Sequence, residues 1–263
     1  MKLKKLFALS TLAVAIPTLA FASATSQTAN YSSNKFFGDY TANEAVASYI
    51  EGNSYRLPLP GVGAYEQVTR ALFDLAKDDD FYSVEDKAEH FEDVFVTFYV
   101  VSKVAAQTQD NKLGFDASQV TLNSYLRDLT AACNTGQLTV NRSAVNNNLS
   151  VSLTSKEARK VNGYARDFEN LCTLSEQYTS LINLPEFKSY LALYSEYAEH
   201  VYQVYRQQAG TYGVNLTYDN LTDDFIEDQA KLQFRQANPR GYRLLKDFDN
   251  YAVETRAIYR ALS

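Results

Sequence analysis

An all-α bundle of about eight helices is the fold this sequence predicts, and three observations predict it. Helix-start signals recur, with a hydroxyl residue three positions ahead of an acid at Thr41/Glu44, Ser83/Asp86 and Thr154/Glu157. Apolar residues step by three and four, most clearly at Val84, Ala88, Phe91, Phe95 and Phe98 and on through Val101 and Val104. The breaks between such runs are mostly short and carry Gly, Pro or Asn, which suits neighbouring helices in a bundle.

Taken in order, Thr41 opens a short helix with Ala45, Val46, Tyr49 and Ile50 inward, stopped at Gly52-Asn53. The prolines of Leu57-Pro58-Leu59-Pro60 force extended chain. A helix is then predicted over 64–77, and a long core helix follows Ser83. Asp116 opens the next, with Val120, Tyr125, Leu126 and Leu129 inward, ending near Cys133. Over 137–153 the helical period fades, and the stretch reads as an irregular connection or a small β-hairpin. Thr154 starts a long helix to about Leu181, and another runs past Pro185 to Ala209, with Gly210 as its stop. Thr222 caps a helix to Ala237, and the last helix is expected over 241–262.

The ends and the charge bound the class. Lys2, Lys4 and Lys5 precede an uncharged run from Leu6 to Phe21, which closes on Ala22-Ser23-Ala24, so 1–24 reads as a signal peptide for export to the periplasm or medium. The polar stretch 25–40 reads as a disordered mature N-terminus, and 41–263 as a single helical domain with a possible subdomain break near 137–153. Removing the three lysines takes the formal charge from −6 to −9. That sign argues against nucleic acid and against anionic lipid, and no second segment is apolar enough for stable membrane insertion after signal cleavage. Cys133 and Cys172 are the only cysteines, and export makes a disulfide between them the expectation. It would close a loop of about 40 residues, worth on the order of 4 kcal/mol.

The sequence carries no catalytic signature. There is no Gly-x-Ser-x-Gly elbow or HExxH zinc spacing, and Gly61-Val62-Gly63 lacks the third glycine of a dinucleotide loop. His90 and His200 are the only histidines. Asp86, His90 and Asp93 fall at i, i+4 and i+7 of one helix, and Glu196 and His200 at i and i+4 of another, so two facing helices could offer a metal their carboxylates and imidazoles. Against that stand Lys87 and Tyr197 where a di-iron bundle places glutamate before each histidine, and the position of both histidines off the apolar stripes.

Tyrosine is the compositional oddity, with 20 against no Trp. Tyr190, Tyr194, Tyr197, Tyr202 and Tyr205 cluster on one helix, either as a ligand-binding surface or as a core stripe whose hydroxyls reach the rim. Together these features predict an exported binding module that meets another protein or a small ligand, without cofactor or catalysis. The competing expectation is an exported metal-binding protein or enzyme built on His90, His200 and their neighbouring carboxylates.

Overall fold

A computed structural model of the chain describes residues 35–108, 113–249 and 256–263. The expected signal peptide over 1–24 and residues 25–34 lie outside them. Among the described residues there are eleven α-helices and no strand.

α1 (Ala42–Ile50) and α3 (Val84–Thr108) start where their caps predict, with the Glu44 amide on Thr41 Oγ1 and the Asp86 amide 3.2 Å from Ser83 Oγ. α2 (Glu66–Ala76) follows a 3-10 turn at Gly63–Tyr65. Gly61 ahead of that turn has φ 153°, and any Cβ there would collide with the backbone of Tyr65 and Glu66. Asp116 caps only a 3-10 turn, and α4 (Leu122–Asn134) begins instead on a Thr121/Ser124 capping box. α6 (Ser155–Ile182) carries the full Thr154/Glu157 box.

Three expectations are corrected. Residues 137–153 hold neither a hairpin nor a bare loop but α5 (Arg142–Asn147), capped by Asn141 Oδ1 on the Ser143 and Ala144 amides. Asn side chains supply the hydrogen bonds that a ladder would have made: Asn43 holds Thr139 O at 2.9 Å and the Asn141 amide at 2.8 Å. α7 (Lys188–Tyr212) runs through Gly210 and stops at Gly213, whose φ of 66° is the left-handed stop. Thr217 opens α8 (Tyr218–Leu221), and α9 (Asp224–Ala237) is capped by Asp223, not Thr222. Within the stretch expected as the last helix, the described residues form α10 (Pro239–Asp249), begun by the proline itself, and α11 (Arg256–Leu262).

The polar stretch ending at Tyr40 is corrected in part as well. At 35–39 it forms a turn that puts Phe36 and Phe37 into the core beside Tyr125. Two adjacent aromatics have no period to detect, but burying them is worth several kcal/mol.

α3 is the central helix and packs against α2, α7, α10 and α11, while α6 lies across α2 and α4. One buried cluster runs from Phe36 to Leu262. Its middle is Phe91, whose ring lies 5.2 Å from those of Tyr178 and Phe187 and 5.5 Å from that of Tyr194. Cys133 of α4 and Cys172 of α6 are bonded, at 2.07 Å between sulfurs. On the other flank of α3, Lys87 is 3% exposed. Its ammonium donates to the Leu262 carbonyl at 2.9 Å and lies over the Phe81 ring. Burial lowers the Lys87 pKa, because the charged form loses hydration.

Candidate functional site

α7 is covered by α3 on one side and by α9 and α10 on another, so its tyrosine stripe is enclosed. Tyr194, Tyr197, Tyr202 and Tyr205 are buried, and Tyr190 is half-buried against Phe187 and Phe248. The expected tyrosine-lined binding surface is therefore corrected to a core stripe, of which Tyr197 alone also reaches the cleft described below. Sequence spacing shows which residues share a face, but not how many neighbours cover it.

The histidine constellation divides. Glu196 accepts from Asn238 at 2.8 Å, and His200 rests 5.9 Å from the Phe234 ring. Neither lines the cavity that Asp86, His90 and Asp93 enter from α3. Positions i to i+7 span roughly 10 Å along a helix axis, too far for one first coordination sphere without a second helix closing in. Among the described residues no group of three or more His, Cys, Asp or Glu side chains is placed to hold a metal ion. The two-helix metal site is corrected accordingly.

His90 is also more enclosed than its place off the apolar stripe suggested, with 15% of its side chain exposed. Its Nε2 lies 2.5 Å from the Ala71 carbonyl and must donate there, since a carbonyl only accepts. Nδ1 is left facing the Asp93 carboxyl at 3.5 Å.

What α3 does build is one wall of a cleft of about 610 Å³, closed by α9 and α10 and floored by Leu75, Tyr197 and Phe234. Six carboxyl groups line it, Asp78, Asp86, Glu89, Glu92, Asp93 and Glu227, against Lys231 and Lys246. Tyr242 and Leu245 complete an apolar side. Lys231 bridges the two acidic walls, paired with Glu227 on its own helix and 3.7 Å from Glu92 on α3. The Tyr197 hydroxyl bonds Glu92, and burial and the nearby Glu92 and Glu227 charges push its pKa well up.

Behind the cleft lies a chamber of about 10 Å³, which shares Glu92, Asp93, Tyr197 and Glu227 with it and is closed by Val96, Thr97, Val201, Leu221 and Thr222. Tyr218 reaches the same carboxylate from α8, 3.4 Å from Asp93 Oδ2.

Asp93 is the strained member of this set. Burial raises its pKa, and Glu227 adds to that, while His90, the Tyr218 hydroxyl and Lys231 oppose. Its protonation in the folded state therefore contributes stability that is complete below the unfolded value, about 3.9, and lost as pH rises through the folded value. Asp93→Asn should melt like the parent near pH 4 and higher than the parent at pH 7, as circular dichroism melts at both values will show. A lower melting temperature at pH 7 would make the His90–Asp93 contact a net stabilising ion pair instead.

Glu89 and Glu92 went unmarked in the sequence, though a signal was present. Asp86, Glu89 and Asp93 lie at i, i+3 and i+7, an acidic stripe on α3 beside the phenylalanine stripe, and Glu227 and Lys231 are an i, i+4 pair. Compared with protein-family models, curated proteins and solved structures, the chain matches none.

Proposed function

We propose that this chain is an exported helical binding protein whose cleft between α3, α9 and α10 takes a cationic organic ligand. The observation that carries this reading is the excess of six carboxyl groups over two lysines around a cavity of ligand size. Carboxylates crowded in a partly desolvated space repel one another, and a bound cation relieves that repulsion. The aromatic side of the cleft fits the same ligand, because Tyr197, Phe234 and Tyr242 offer π faces and apolar area to an alkylammonium. Export is supported by the basic start and apolar run of the N-terminus, and by the Cys133–Cys172 bond, which persists in an oxidising compartment. Among the described residues no helix is long and apolar enough to cross a membrane.

Titration calorimetry with 1,5-diaminopentane, and with glutarate as the anionic counterpart, tests the reading. The diamine should bind with an affinity that falls as salt rises, and glutarate should give no heat. In Glu89→Gln/Glu227→Gln the affinity should fall about tenfold or more, since charge-assisted hydrogen bonds are lost. Equal binding of both probes, or no binding of the diamine, would remove this function.

A further inference from the structure

We propose that the inner chamber is the seat of a primary ammonium group, so that the cleft selects ligands ending in –NH3+ over quaternary or inorganic cations. The inference rests on the cleft reading above and narrows its ligand class.

Three features of the chamber converge on that group. Its volume of about 10 Å³ is that of a single water-sized group, and an ammonium nitrogen with its hydrogens is the same size. Its wall carries three carboxyl groups, Glu92, Asp93 and Glu227, against the single ammonium of Lys231, which pairs with Glu227 and lies 3.7 Å from Glu92 on the side of the outer cleft. Thr97 is 0% exposed and its Oγ1 has no hydrogen-bond partner among the described residues, although it lines this chamber. A buried hydroxyl left unpaired is costly and asks for an explanation.

The other hydroxyls of the wall already have acceptors. Thr222 Oγ1 donates to the Tyr218 carbonyl at 3.1 Å, and the Tyr197 hydroxyl bonds Glu92. What they offer the chamber is oxygen lone pairs. A wall made of acceptors and negative charge is matched by a small positive group with three donors, which is what –NH3+ supplies. A water molecule fits the volume but brings only two donors and no positive charge. A trimethylammonium has no donor and is several times too large. An alkyl chain leading outward from the ammonium would lie against Tyr197 and Phe234, in the cleft proper.

The discriminating pair is 1,5-diaminopentane and its bis-trimethylammonium counterpart, titrated into the full chain in an amine-free sodium buffer. The diamine should bind at least tenfold tighter, and added K⁺ should not displace it beyond the ionic-strength effect. Thr97→Val should weaken the diamine about tenfold and leave the quaternary probe unchanged, while Thr97→Ser, which keeps the hydroxyl, should restore the affinity. The valine variant should melt no lower than the parent, since it replaces an unpaired buried hydroxyl with a methyl group of the same shape. Equal binding of the two probes, an equal loss of both in Thr97→Val, or specific displacement by K⁺ would overturn the ammonium seat while leaving a cation-binding cleft. Failure of both probes to bind would overturn the cleft with it.

Discussion

Phe91→Ala should destabilise the fold by about 3–5 kcal/mol, the range for deleting a buried aromatic ring where the surroundings cannot collapse. The site cannot collapse because the ring is fully buried among four others, from α3, α6, α7 and the turn ahead of α7. Those rings are fixed by their own partners: Tyr178 donates to the Lys87 carbonyl at 2.7 Å, and Phe187 stacks on Tyr190. The loss should appear as a fall in the urea midpoint and a drop in melting temperature of about 10 °C, with native-like helical circular dichroism at low temperature. Phe91→Leu should recover more than half of it. Phe91 does not line the cleft, so diamine affinity measured where the variant is folded should be unchanged. A shift under about 1 kcal/mol would mean that this aromatic centre is not close-packed.

The second large effect is expected from Cys133→Ser/Cys172→Ser, at about 2–5 kcal/mol. The bond spans 39 residues, joins α4 to α6, and encloses α5 and its connections. Without it the unfolded chain regains the freedom of that loop, and the segment over 137–153 is held by the burial of Leu138, Val140 and Val145 and by hydrogen bonds such as the Ala42 amide on the Gln137 carbonyl at 2.9 Å. Reductant added to the parent chain should reproduce the lowered melting temperature. An unchanged melting curve in both experiments would show that the stability comes from helix packing alone.

The parts of this fold that were legible in the sequence are those decided within a few residues. Thr41, Ser83 and Thr154 cap their helices because a side-chain oxygen three positions back meets a free amide, whatever surrounds it. The phenylalanine stripe of α3 and the cysteine pair were readable for similar reasons. Features decided by distant chain were not. Nor was the stop of α7, since Gly210 and Gly213 can both take the left-handed φ that Gly213 adopts. Tyrosine suits a rim and a core alike, so the stripe of α7 was settled by α9 and α10 lying over it. The cleft needed all of these at once, since Glu92 and Glu227 become neighbours of one Lys231 only when α9 has docked on α7.

The hydrogen bond from Lys87 to Leu262 orders events in time. It joins positions 175 residues apart, and Leu262 arrives with the last helix to dock on α3 and α6. Until then the Lys87 ammonium has no carbonyl to receive it, and sealing it into the core uncompensated is expensive. The compact state around α3 therefore cannot close early. Closing a loop of that length is an entropic toll met before the contacts reward it, so the docking of α11 is expected as a late step, one that a Lys87→Met substitution should speed in stopped-flow refolding.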